Sequence, residues 1–153
     1  MADDQTAQEI AEACAASMWE RDGVCRDFGL SLDRVAPGEA VLSMTVTDRM
    51  TNGHGIAHGG LVFTLADAAF GYASNTRDQR TVAQHCAITF IQAASVGDRL
   101  TATALERSLA GRSGIYDVTV TDQTGRTVAE FRGHSRTVAG AILPGADSGQ
   151  GAR

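Results

Sequence analysis

Lysine is absent from all 153 residues, so every fixed positive side chain is an arginine. Acids still outnumber them, and the net charge is -5. A protein that grips nucleic acid over a broad surface is expected to be basic, and this one is not. Proline is scarce: Pro37 and Pro144 are the only two, which argues against a long disordered linker. No apolar run reaches the roughly 18 residues of a membrane span. The opening MADDQTAQEI is acidic and polar, unlike a secretory signal. Cys14, Cys25 and Cys86 have neither metal-ligand spacing nor a disulfide framework, which points to a reducing, cytoplasmic setting.

What is present is an ordinary globular composition, 43% hydrophobic, with a length suited to a single domain over 1–153. Charge is uneven. Residues 1–76 carry 4 arginines against 11 acids, and residues 77–153 carry 9 against 7. The arginine-rich half has room for a local anion site despite the bulk charge.

Periodicity divides the chain. Residues 5–20 follow a helical period, with Thr6 as N-cap and Glu9 completing a capping box. Phe28, Leu30 and Leu32 alternate with Gly29 and Ser31, which predicts a strand. Ala36-Pro37-Gly38-Glu39 reads as a turn, and residues 40–47 as the second arm of a hairpin. After a polar loop at 48–59 and an apolar helix at 60–75, four strands follow: 82–94, 100–109, 113–121 and 127–138. The tail Gly140–Arg153 is rich in Gly, Ala and Ser and is expected to fray.

The central stretch is TNGHGIAHGGLVFTLADAAFGYASN, from Thr51 to Asn75. Its helix is apolar on nearly every side and so needs cover. The expectation is an α+β fold in which a curved antiparallel sheet wraps around this long central helix. Open sheet edges then favour a dimer. Asp67 is the only charge between Gly60 and Tyr72. A carboxylate there is costly to bury unpaired, and burial raises its pKa toward useful base strength. A structural carboxylate bound to backbone or arginine is the competing reading. Gly59-Gly60 leaves backbone N–H groups uncovered at a helix start, which suits an oxygen gaining negative charge. A tight turn is the competing reading there. His58 is either a helix cap or a polar group of the site. Asn52 offers an amide to water or a carboxylate, yet Asn-Gly is also ordinary turn chemistry. His54 is read as shaping the loop. Asp67 lies ~10 Å along the helix from Gly60. A site using both is most easily completed across a two-fold axis.

Several alternatives lack their motif. There is no HExxH, no cysteine pair, no GxSxG elbow and no GxGxxG, so no metal, serine triad or dinucleotide cofactor is expected. Cys86, among apolar neighbours on a strand, reads as core. Arg132 and Arg136 share a strand face, and Arg112 starts the strand before. Each is either a phosphate ligand or part of a solvated face.

NGHGIAHGGLVFTLADAAFGYASN, AQHCAITF, GRSGIYDVTV and AEFRGHSRTVAG resemble the phenylacetate-degradation subfamily of hotdog-fold acyl-CoA thioesterases over roughly residues 20–140. The resemblance implies a hotdog fold with Gly60–Asn75 as the sausage, an N-terminal helical extension, and hydrolysis of phenylacetyl-CoA or a ring-hydroxylated relative. It implies that Asp67 is general base or nucleophile, that the Gly60 N–H polarises the thioester carbonyl, and that Asn52 and His58 fix the geometry. Gly59, Phe63, Phe70 and Arg136 are the implied substrate contacts, with Arg136 near the coenzyme A phosphates. It further implies a dimer of dimers with sites at the dimer interface. A hotdog hydratase or dehydratase, and a non-catalytic acyl-CoA-binding module, are the alternatives.

Overall fold

The computed structural model describes residues 5–145. Helix α1 spans Ala7–Trp19. Its predicted capping box is present: Thr6 Oγ1 accepts from the Glu9 N–H at 3.2 Å, and the Glu9 carboxylate accepts from the Thr6 N–H at 2.7 Å. Two of the orphan donors of the first turn are thereby satisfied.

The strand expected at Phe28–Leu32 is largely absent. A short helix α2 occupies Gly23–Asp27 instead. Asp22 caps it by accepting from the Cys25 N–H at 3.0 Å. Gly29, at φ +66, closes it, with Leu30 N–H bonding Cys25 O and Gly29 N–H bonding Arg26 O. This pair of bonds around a left-handed glycine is a Schellman closure. Strand β1 then starts at Ser31 and runs to Ala36. It pairs with β2, Glu39–Thr45, through the predicted turn, where Gly38 takes φ +74.

A 3-10 turn at Asp48–Met50 leads through the polar loop to α3, Gly59–Ser74. The remaining strands are β3 (Thr81–Phe90), β4 (Arg99–Ala110), β5 (Ser113–Thr121) and β6 (Thr127–Thr137). All pairs are antiparallel, in the order β1-β2-β4-β5-β6-β3. The chain leaves β2 near one edge and re-enters the sheet as β3 at the other. Helix α3 is that crossover. Its 16 residues extend ~24 Å, enough to cross the ~19 Å between strands four places apart.

The architecture is α+β and hotdog-like, with three helices and one six-stranded sheet. The expected wrapping of a curved sheet around the helix is not what forms. The sheet is open, ending at β1 and β3, and α3 lies against one face of it. The physical reason lies in the helix itself. Val62, Leu65, Ala66, Ala69, Phe70 and Ala73 bury against the sheet, while Leu61, Thr64, Asp67, Ala68 and Gly71 stay partly exposed. Apart from Leu61 and Phe63 near its start, the partly exposed residues are small or polar, so one sheet face is cover enough.

The packing face is built by alternation. Leu42 and Met44 of β2, Leu100, Ala102 and Ala104 of β4, and Tyr116, Val118 and Val120 of β5 are all buried. Gly133 on β6 admits the Phe70 ring, since a Cβ there would lie 2.8 Å from it. Trp19 of α1 packs on Tyr72 with ring centroids 5.8 Å apart, and Tyr72 Oη donates to Asp22 at 3.0 Å. Beyond β6 the chain is tied down: Asp78 Oδ1 accepts from the N–H groups of Ile142 and Leu143 at 2.9 and 2.8 Å. Residues 146–153 of the expected frayed tail lie outside the described residues. Among the described residues no helix is long and apolar enough to cross a membrane.

Candidate active site

Strand β3 runs along the outer flank of α3. Cys86, Ile88 and Phe90 pair with Gly133, Phe131 and Ala129, which are buried, so all face the helix side of the sheet. At one end of this seam Cys86 meets Asp67, with Sγ 3.9 Å from Oδ1. At the other, Phe90 lies on Gly59, where a Cβ would come within 3.0 Å of the ring. The two ends agree in length: eight helical residues advance ~12 Å, and four strand residues ~13 Å. The seam between α3 and β3 thus has a carboxylate at one end and a helix N-terminus at the other.

Asp67 is half-buried and forms no ion pair among the described residues. Burial pushes its carboxyl pKa up, and the Cys86 thiol only partly offsets this. An arginine-bound structural carboxylate would show the opposite shift. The same burial, together with the Asp67 charge, pushes the Cys86 thiol up to about 11. A thiol that stays protonated is a donor rather than a nucleophile.

His58 is the N-cap of α3. Its Nδ1 accepts from the Gly60 N–H at 3.1 Å, which places the neutral ring's proton on Nε2. The Gly60 N–H is therefore occupied in the single chain, whereas the Gly59 N–H has no partner among the described residues. Asn52 organises the loop. Its Oδ1 accepts from the N–H groups of His54 and Ile56 at 2.9 and 3.4 Å, and its backbone N–H bonds Ile56 O at 2.8 Å. The Asn52 Nδ2 has no partner among the described residues, so the amide retains donors for a ligand. Exposed His54 contributes its backbone N–H to this turn.

Asn52 and Gly59 share a cavity of about 310 Å³, lined also by Ile56, Val62, Phe90 and Ile91. Other predicted contacts fall elsewhere. Phe70 is 1% exposed, with ring contacts to Tyr116 and Phe131, and offers no surface to a ligand. Phe63 is half-buried, edge-on to Phe131 at 5.4 Å, midway along the helix flank. Arg132, His134 and Arg136 alternate with Phe131, Gly133 and Ser135, and so line the sheet face opposite α3. Arg132 is bound by Asp117 at 2.6 and 2.8 Å. Arg136 has no ion pair among the described residues, but lies across the sheet from Asp67. One chain therefore gathers Asn52, His58, Gly59 and Gly60 at one point, holds Asp67 ~12 Å away, and keeps Arg136 apart from both.

Phe90 and Cys86 were not among the expected site residues. Strand alternation puts them on one face, but only the pairing of β3 with β6 brings that face to α3. Among the described residues no group of three or more His, Cys, Asp or Glu comes together to hold a metal.

Comparison with known proteins places the chain in a family. The family model described as Thioesterase superfamily matches residues 54–129, from within the polar loop through α3, β3, β4 and β5 to the first residues of β6. The chain is 42% identical over 128 residues to the acyl-coenzyme A thioesterase PaaI of Escherichia coli, covering 84% of this chain and 91% of that protein. The structure of the E. coli PaaI protein from the phenylacetic acid degradation operon superposes with a TM-score of 0.87 at 40% identity, over 89% of this chain and 99% of that one. A Streptococcus mutans protein solved with acetyl CoA bound gives a TM-score of 0.70 at 25% identity, over 72% of this chain and 90% of that one. At this identity and coverage, the chain belongs to the thioesterase superfamily.

Proposed function

We propose that this protein hydrolyses acyl-CoA thioesters to a free acid and coenzyme A, with phenylacetyl-CoA or a ring-hydroxylated relative as substrate. The observation that carries the reading is the placement of Asp67. It is the one carboxylate of α3, it is half-buried beside Cys86 with its pKa raised by that burial, and no arginine pairs with it among the described residues. The aromatic acyl class is taken from the relative named for the phenylacetic acid degradation operon, and the coenzyme A portion from the neighbour holding acetyl CoA.

In this reading the thioester carbonyl sits at the helix N-terminus. Asn52 Nδ2 and the N–H groups of Gly59 and Gly60 supply donors there, with the His58 ring turning aside to release the Gly60 N–H. Asp67 takes a proton from water as the water oxygen bonds to the carbonyl carbon. The C–S bond then breaks, and the proton passes to the departing thiolate. The donors matter most as negative charge builds on the carbonyl oxygen. The raised basicity of Asp67 suits this general-base route, and direct attack to form an anhydride is the alternative.

The separation of ~12 Å within one chain supports a carboxylate supplied by a second copy. A free β3 edge favours such pairing. A two-fold axis then makes two equal sites per dimer, and two dimers form the assembly. Arg136, apart from both groups in one chain, serves the phosphates of coenzyme A from another copy in the assembly. The free cysteines suit a reducing cytoplasm.

The test sets phenylacetyl-CoA beside a 2-enoyl-CoA, with thiol release and loss of the enoyl absorbance followed together. Thioester hydrolysis yields one thiol per acid formed. Hydration of the enoyl ester without thiol release would replace this reading with a hydratase, and tight binding without turnover would replace it with a binding module.

A further inference from the structure

The cavity at the foot of α3 has properties that the thioesterase reading alone does not require. Its volume, about 310 Å³, is at the lower limit of small-molecule pockets, which run from about 300 to 1,000 Å³. It is too small for a whole acyl-CoA but suited to one acyl group. Asn52 and Gln92 contribute its only polar side chains, and no charged residue lines it. Ile56, Val62, Phe90, Ile91 and Val128 supply apolar walls. The Phe90 ring is the wall closest to the helix start, held there because Gly59 has no side chain. Pairing through the β3 edge would use backbone groups and leave the helix-facing Phe90 ring where it is.

Resting on the thioesterase reading, we propose that this cavity receives the acyl group and that Phe90 determines which acyl groups it accepts. An uncharged, compact group fits, and an aromatic ring gains an offset or edge-on contact with Phe90. An acyl group ending in a carboxylate would bury its charge with no cationic partner, and is rejected. Phe63 and Phe70 have no part in this selection: Phe70 is enclosed by the core, and Phe63 is outside the cavity lining.

The experiment compares the wild-type protein, Phe90→Ala and Phe90→Leu on phenylacetyl-, octanoyl-, acetyl- and succinyl-CoA. It also measures the Kd of each for coenzyme A and for its non-hydrolysable 2-phenylethyl thioether. Wild type is expected to prefer phenylacetyl- over succinyl-CoA by at least about 100-fold, since an unpaired buried charge is a strong discriminator. In Phe90→Ala the kcat/KM for phenylacetyl-CoA falls about tenfold further than that for acetyl-CoA, while octanoyl-CoA gains relative to both. Phe90→Leu keeps the apolar wall but not the ring, and falls between. The thioether loses its affinity advantage over coenzyme A in Phe90→Ala. Equal losses on all four esters, or an unchanged thioether advantage, would overturn the assignment. A wild type that binds the thioether through Phe90 yet releases no thiol would leave the pocket standing and remove the thioesterase reading instead.

Discussion

The Cys86 thiol lies 3.9 Å from Oδ1 of Asp67 and is that carboxylate's only hydrogen-bonding side chain among the described residues. The contact joins the middle of α3 to the edge strand β3. It also makes the acid's strength depend on a residue 19 positions along the chain.

Asp67 must be ionised to accept a proton, so activity falls as pH drops through its raised pKa. The acid limb of kcat/KM therefore lies above the ordinary aspartate value of about 3.9. Cys86→Ala removes the one side-chain donor that lowers this pKa, and the limb moves to higher pH. Cys86→Ser substitutes a stronger donor, and the limb moves down if the hydroxyl reaches Oδ1. Profiles from pH 4 to 9 for the three proteins check the order Ala, wild type, Ser.

The same shift has a consequence for stability. A folded-state pKa above the unfolded one means that the folded state binds the proton more tightly. The stabilisation is fully present below the unfolded pKa and is lost as pH rises through the folded one. Asp67→Asn therefore gains in Tm relative to wild type as pH is raised toward neutrality, and the gain shrinks in acid. Calorimetry at pH 4 and pH 7.5 reads the difference.

The elements that could be read from sequence were those whose causes are local. Thr6 and Glu9 are three residues apart, and Gly38 and Gly125 each sit in a turn with positive φ. Asp67 stood out as the single charge within an apolar helix. Helix α2 has only 5 residues, too few for a helical period to outweigh the alternation of Phe28, Leu30 and Leu32. Its own signals were Asp22 before it and Gly29 after it. The open sheet was not legible, because it depends on β3 joining β6 at the far edge. Phe90 was missed for the same reason, since it reaches Gly59 only through that pairing.

His58 holds the first turn of α3 by accepting from the Gly60 N–H. Removing a side-chain cap costs about 1 kcal/mol, and His58→Ala is expected to lower Tm by roughly 2–4 °C. His58→Asn keeps a capping acceptor and recovers most of that loss. If His58 acts only as a cap, activity recovers with it. If the ring also serves the thioester, kcat stays low in the Asn variant while Tm returns.

Gly133 is required by the Phe70 ring, 2.8 Å from where a Cβ would stand. Gly133→Ala overpacks the core beneath α3 and is expected to cost about 1–3 kcal/mol. Adding Phe70→Leu relieves the clash, so the double variant falls less than the sum of its parts. Denaturant midpoints for the four proteins of the cycle decide it.

The shared site makes a prediction by mixture. Asp67→Asn lacks the carboxylate, and Gly60→Pro lacks the backbone N–H, so each alone is inactive. Unfolded together and refolded at equal concentration, half of the random dimers are mixed, each with one intact site. Activity should recover to about one quarter of wild type. No recovery would place both groups in a single chain's site.

The most direct measurement is thiol release from phenylacetyl-CoA by wild type and Asp67→Asn at equal concentration and pH 7.5, with folding verified by calorimetry. The carboxylate of a base-assisted hydrolysis is worth at least about 100-fold in kcat. The prediction is stoichiometric release of coenzyme A by wild type and a loss of that size in a folded variant. An unchanged kcat in Asp67→Asn would contradict the role assigned to this residue.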